Sequence, residues 1–387
     1  MKDILNIPYL KEQIIPYIGS KRRLLPLIYR AIDKIGLLEK KGIKFLDLFS
    51  GSGVVSRLGK VLKFEVFSND WEYYSYVINS SYLKVNHSYL DRLYKEWGGI
   101  EGIVAHLNNL PDPEEKDQFI AKYYSPKDDS FPDYRKERLF YTRYNGLIID
   151  KIRNEIEALY PKNIVDRDVK KRREKYLLLS ALLYQAATHT NTSGVFKAYH
   201  KGFGGFSGDA LSRIMKKIEM TTPILIDSEY ESHVFMEDSN RLIKKKDLQS
   251  IKFDLVYIDP PYNQHQYGSN YHLLNTIAKW DKAFVASQLK NNLLNKKAGI
   301  REDWVKTRSL YCYKDTAVQL FEDLMRSING RYLLISYNTE GIIPIDKMIS
   351  IASSVGKVEI IGNEYVKYRG GNKAFRDKII TLSLSLL

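Results

Sequence analysis

Strand–helix alternation at both ends of the chain, an apolar strand running into glycines, and a second apolar strand ending in Asp-Pro-Pro-Tyr together predict an α/β fold. The expectation is a parallel sheet covered by helices and interrupted by a large, mainly helical insertion. Residues 20–35 place Leu24, Leu25, Leu27, Ile28, Ile32 and Ile35 at helical spacing. Residues 43–49 read as a buried strand, 53–61 as a helix, 64–68 as a second strand and 71–85 as a second helix. From about His87 this rhythm stops. Residues 87–226 read as helical and irregular, with the charged run Lys170-Lys171-Arg172-Arg173 and the glycine-rich Lys201-Gly202-Phe203-Gly204-Gly205. Alternation resumes at 232–236 and continues through 253–258, 271–280, 331–336, 358–362 and 378–386. Residues 1–86 and 227–387 therefore read as one α/β domain split by the insertion 87–226, and residues 281–313 form a second, basic excursion.

Charge and cysteine usage narrow the function. The chain has 387 residues, 44% of them hydrophobic, and a formal charge of +14, an excess that favours a polyanionic partner, nucleic acid first. Its 29 tyrosines outnumber 15 phenylalanines, and tyrosine offers a stacking face with a polar tip. The single cysteine, Cys312, excludes a disulfide framework and a cysteine-based zinc site. The N-terminus lacks the apolar core of a secretion signal, and the longest apolar stretch, around 176–187, is too short to span a bilayer. A soluble, cytoplasmic protein needing no metal and no membrane is expected.

The first strand, Phe45-Leu46-Asp47-Leu48-Phe49, runs into Ser50-Gly51-Ser52-Gly53 at the start of a helix. Glycines there let a ligand approach the backbone, so Asp47, Gly51 and Gly53 are candidate cofactor contacts. Asp70 ends the second strand about twenty residues on, the distance at which a carboxylate suits ribose hydroxyls. A dinucleotide is less favoured, because a third glycine would fall at position 56, which is Ser56. S-adenosyl-L-methionine, with a ribose and no phosphate, fits better.

Asp259-Pro260-Pro261-Tyr262 follows the strand-like run 253–258. A diproline turn ending a strand is the plain structural reading. The chemical reading starts from an exocyclic amine whose lone pair is delocalised into a base. The Asp259 carboxylate and the Pro260 carbonyl can accept its two N–H bonds and aim the lone pair at an activated methyl group. Pro261 fixes the turn, and Tyr262 offers a face for stacking the base. A base within a duplex cannot reach such a pocket, so the target nucleotide would be flipped out.

In order, Tyr17-Ile18-Gly19-Ser20-Lys21, Phe49-Ser50-Gly51-Ser52-Gly53, Asp70, Glu237-Asp238 and Asp259-Pro260-Pro261-Tyr262 resemble the Dam-like, alpha-class adenine-N6 DNA methyltransferases, often partners of restriction enzymes. The resemblance implies a Rossmann-like S-adenosylmethionine-dependent methyltransferase fold with an inserted DNA-recognition domain, double-stranded DNA as substrate and a cognate endonuclease as a partner. It places Tyr17 and Lys21 at the methionine end of the cofactor, Asp70 on the ribose, Asp238 on the cofactor's adenine amine, and Asp259 between cofactor and target. Taken alone, Lys21 reads as a solvated lysine and Asp238 as a helix cap. The stretch 191–199, with Asn191, Lys197 and Tyr199, resembles the family's segment near the target, and Lys201 follows it. Asn263, His265 and Tyr267, after the tetrapeptide, either close over the base or form a capped loop. Lys170, Lys171, Arg172 and Arg173 suit phosphate contacts or a solvated helix face.

Rival chemistries fit less well. Cytosine-C5 transfer needs a cysteine nucleophile, and Cys312 lies between Tyr311 and Tyr313. Cytosine-N4 or RNA amino-methylation would use nearly the same machinery. A metal-dependent nuclease would need Asp112, Glu114 and Lys116 as its acid–acid–lysine set, but Pro113 leaves no room for the strand pair that presents such groups.

Overall fold

Six strands carry the frame: β1 (Lys44–Asp47), β2 (Glu65–Asn69), β3 (Ser232–Phe235), β4 (Phe253–Ile258), β5 (Gly330–Ser336) and β6 (Ile379–Leu382). The computed structural model describes residues 2–205, 208, 210–282, 289–338, 340–361, 365–367, 375–377 and 379–382. The sheet order is β6-β5-β4-β1-β2-β3. Its first five strands are parallel, and β6 runs antiparallel to β5. Strand order reverses at β1, which pairs with β2 on one side and β4 on the other.

The two-residue period of the strands sorts their side chains between two cores. Phe45, Val66, Leu255 and Tyr257 point to one face, where they join the helices Leu25–Lys34, Val54–Val61, Tyr73–Lys84 and His272–Lys279. Leu46, Phe67, Val256 and Ile258 point to the other, against Ala317–Ser327 and Ile345–Ser353. The insertion extends the first of these cores. Its long helix Val169–Thr188 packs on Tyr73–Lys84, and Leu178 and Leu182 share one apolar cluster with Val77.

One strand expectation is corrected. Residues 358–361 form no strand, and Ile360 is exposed. The place beside β5 is taken by β6, which leaves that segment no partner. Gly362, Lys378, residues 383–386 of the expected last strand and residues 283–288 of the second excursion lie outside the described residues. Among the described residues, no helix is long and apolar enough to cross a membrane.

Candidate active site

In open α/β sheets, the crevice where strand order reverses receives ligands at the carboxyl ends of the strands. Here β1, β2, β3 and β4 all deliver side chains to that crevice. After β1, the chain turns through Gly51 (φ 51°) and Gly53 (φ 78°), left-handed values that favour glycine. The space beside both glycines is filled by protein. A Cβ on Gly51 would lie 2.7 Å from the Tyr17 ring, and one on Gly53 would lie 2.1 Å from Asn79 Oδ1. On the side where a Cβ would stand, both glycines are therefore tightly packed.

At the end of β2, Asp70 braces that turn. Its Oδ2 accepts the Gly51 N–H at 2.8 Å and its Oδ1 accepts the Glu72 N–H at 2.9 Å. Burial raises its pKa to about 6 despite these bonds. Asp47 is also buried, with its Oδ2 accepting from Ser56 Oγ at 2.6 Å, and burial raises its pKa to about 7. Asp47 is the last residue of β1 and is not among the residues that line the cavity described below.

The tetrapeptide begins one residue after β4. Lys21 Nζ lies 2.6 Å from Asp259 Oδ2 and 2.9 Å from the Gly19 carbonyl, with the Tyr262 ring centre at 5.8 Å. Lys21 is buried, so the solvated reading of this residue does not hold. Tyrosines hold its segment in place. Tyr271 Oη accepts the Ile18 N–H at 2.7 Å, Tyr267 Oη donates to the Ile18 carbonyl, and Tyr17 stacks on both rings. Gly19 (φ 76°) passes so close to the tetrapeptide that a Cβ there would lie 2.8 Å from Tyr262 Oη.

These elements line a cavity. Tyr17, Ile18 and Gly19 line it from the N-terminal segment, and Leu48 and Phe49 from the end of β1. Asp70, Trp71 and Glu72 follow β2, Glu237 and Asp238 follow β3, and Asp259 and Pro261 follow β4. Asp238 both lines the cavity and caps the turn Ser239–Leu242, accepting the Arg241 N–H at 3.0 Å. The helix-cap reading of that residue therefore holds.

Several wall residues were not legible. Thr307, Ser309 and Tyr311 come from the second excursion. Its placement depends on Arg301, which is bonded to Asp281 and Asp303, and on Gln266, which exchanges two hydrogen bonds with the Ser309 backbone at 2.9 and 2.8 Å. No local pattern announces such docking. Trp71 and Glu72 could have been found from their position directly after Asp70.

The residues expected on the DNA side are scattered. Tyr267 lines the cavity beside Tyr17. Asn191 is fully buried, and its side chain bonds the backbone of Leu139, His200, Gly202 and Gly204. It shapes its loop from within, which corrects the expectation of a direct contact. That loop docks on the segment after the tetrapeptide: the Phe196 N–H meets the Asn270 carbonyl at 2.7 Å, and His272 Nε2 lies 3.0 Å from the Phe196 carbonyl. Lys197 is thereby held near Cys312, half-buried, with its pKa lowered by burial. Tyr199 bonds the Tyr134 and Glu137 carbonyls, and Lys201 is exposed over the Tyr134 ring. Asn263 Oδ1 accepts the N–H of exposed His265. In the basic run, Lys170 and Lys171 pair with the buried Glu174, and Lys171 also pairs with Glu96. Arg172 is half-buried, and Arg173 lies 5.9 Å from the Tyr89 ring centre. The nuclease set stands apart as surface ion pairs, Asp112 with Lys151 and Glu114 with Lys116.

The geometry joins a carboxylate-rich cavity to a carboxylate–proline turn at the switch point of a parallel sheet, an arrangement able to hold a small cationic donor against an amine acceptor. Comparison with known proteins agrees. The chain is 32% identical over 354 residues to Type II methyltransferase M.NlaIII of Neisseria lactamica, covering 91% of this chain and 92% of that protein. It is 31% identical over 359 residues to Type II methyltransferase M.CviAII of Paramecium bursaria Chlorella virus 1, covering 92% and 93%. It is also 31% identical over 369 residues to Modification methylase StsI of Streptococcus sanguinis, covering 95% of this chain and 50% of that longer protein. Residues 17–338 match the D12 class N6 adenine-specific DNA methyltransferase family, and the chain belongs to that family.

Proposed function

We propose that the cavity binds S-adenosyl-L-methionine and that the chain methylates adenine N6 at a specific site in double-stranded DNA, as the modification partner of a restriction endonuclease reading the same site. The observation that carries this reading is the Lys21–Asp259 pair set against the cavity wall. The cavity fits the donor. Asp70, Glu72, Glu237, Asp238 and Asp259 make its wall acidic, which disfavours a phosphate-bearing dinucleotide and favours a cation. When bound, S-adenosyl-L-methionine supplies an electrophilic methyl group on a positively charged sulfur.

The chain's own residues do the rest. Asp70 accepts from the ribose hydroxyls, Asp238 from the cofactor's adenine amine, and Tyr17 and Lys21 border the methionine end. Asp259 and the Pro260 carbonyl accept the two N–H bonds of the target amine and turn its lone pair toward the methyl group. Lys21 positions the Asp259 carboxylate, Pro261 fixes the turn, and Tyr262 stacks the flipped base. Residues 1–86 and 227–387 act as the catalytic domain, and 87–226 reads the DNA. Lys197, Tyr199, Lys201, Asn263 and His265 face the target, while Arg172 and Arg173 meet phosphates. On this reading the enzyme works on cytoplasmic DNA. Sequencing the DNA of a bacterial host expressing the protein, with modified bases detected, tests it. N6-methyladenine in one sequence context is expected, and N4-methylcytosine or unmodified DNA contradicts it.

A further inference from the structure

We propose that Glu72 is the carboxylate that receives the α-ammonium group of the methyl donor's amino-acid tail, an assignment that rests on the cavity taking S-adenosyl-L-methionine as read above. Glu72 is 3% exposed, yet it borders the cofactor cavity and also a neighbouring cavity. Among the described residues, only Trp71, Glu72 and Thr307 line both spaces.

The partners of this carboxylate are neutral. Asn275 Nδ2 donates to Oε2 at 2.6 Å, and the Thr307 hydroxyl bonds the same carboxylate. Among the described residues it forms no ion pair. Lys279, the cation that acts on it through space, is itself bonded to Asp303 at 2.8 Å. A buried carboxylate left with neutral donors is a costly arrangement unless a cation joins it. The other oxygen packs close to Gly268, where a Cβ would lie 2.9 Å from both Glu72 Oε1 and Thr307 Oγ1.

Location points to the same group. Asn275 belongs to His272–Lys279, the helix that follows the catalytic tetrapeptide, whereas Asp238 stands at the end of β3. The amino-acid tail and the transferable methyl share one sulfur, so the tail's ammonium belongs on the tetrapeptide's side of the cavity. Asp70 braces the glycine turn and remains for the ribose.

Two ligands separate this role from a structural brace. S-adenosylhomocysteine carries the amino-acid tail, and 5′-methylthioadenosine keeps the nucleoside and sulfur without it. Calorimetric titration of Glu72→Gln, which retains the Asn275 and Thr307 contacts, is expected to show S-adenosylhomocysteine binding about 10- to 100-fold weaker and 5′-methylthioadenosine binding changed by less than about threefold. Unchanged binding of 5′-methylthioadenosine also shows that the variant's cavity is folded. Glu72→Asp, with the charge drawn back by one methylene, should lose S-adenosylhomocysteine selectively as well. Equal losses for both ligands, or no loss for either, overturn the assignment alone. Failure of the unaltered protein to bind S-adenosylhomocysteine overturns the cofactor reading and the assignment with it.

Discussion

Lys21 Nζ and Asp259 Oδ2 lie 2.6 Å apart, with the two side chains only 9% and 16% exposed. Breaking such a shielded pair leaves a charge without its partner. Lys21→Met is therefore expected to destabilise the protein by about 1–3 kcal/mol and to lower turnover by misplacing the carboxylate. Because the two residues act together, the double variant Lys21→Met/Asp259→Ala should be little worse than Asp259→Ala alone. A double-mutant cycle on thermal unfolding and turnover checks this, and additive losses would separate the two roles.

The Tyr262 ring centre lies 5.8 Å from Lys21 Nζ, and its hydroxyl packs beside Gly19. Stacking is worth about 1–3 kcal/mol per base, so Tyr262→Ala should lose roughly one to two decades of kcat/KM. Tyr262→Phe keeps the face and should stay near the unaltered enzyme. Equal losses in both variants would move the role to the hydroxyl.

Cofactor affinity should rise with pH. Burial raises the Asp70 pKa to about 6 and the Glu72 pKa to about 7, so below about pH 6 both carboxyls are largely protonated, and between about 6 and 7 Glu72 remains so while Asp70 ionises. A bound cation favours their ionised forms and lowers both pKa values, so binding releases protons. Affinity for S-adenosyl-L-methionine should then strengthen as pH rises through about 6 to 7 and level off above. Calorimetry in two buffers of different ionisation enthalpy would register the release. Asp70→Asn should flatten the dependence and weaken cofactor binding while leaving DNA affinity intact.

The frame of the site was legible because its signals are local. The buried runs around β1, β2 and β4, the glycines and the Asp-Pro-Pro-Tyr turn each report their own backbone. What remained hidden depends on docking between distant segments. Tyr267 reaches the cavity wall, where Tyr17 stacks on it, and Thr307, Ser309 and Tyr311 arrive through contacts made by Arg301 and Gln266. The residues 358–361 misled because their apolar pattern suits a strand, but the edge they would need belongs to β6.

The basic run divides by its partners. Lys170 and Lys171 hold the buried Glu174 carboxylate, so replacing both should cost about 3 kcal/mol or more of stability. Arg172 and Arg173 are the members assigned to phosphate. Replacing those two by alanine should weaken cognate and non-cognate DNA alike and lower the salt slope by about two. Binding measured at several salt concentrations for both duplexes checks this. An unchanged slope would make the run a structural feature of the insertion alone.

In the proposed reaction, Asp259 and its turn direct a methyl group onto adenine N6. The most direct measurement incubates the protein with duplex DNA and S-adenosyl-L-methionine labelled in its methyl group, digests the DNA to nucleosides and identifies the labelled one, with Asp259→Ala alongside. Label confined to N6-methyldeoxyadenosine and absent from the Asp259→Ala sample is the predicted result. Label in N4-methyldeoxycytidine, or near-normal transfer by Asp259→Ala, would contradict the account.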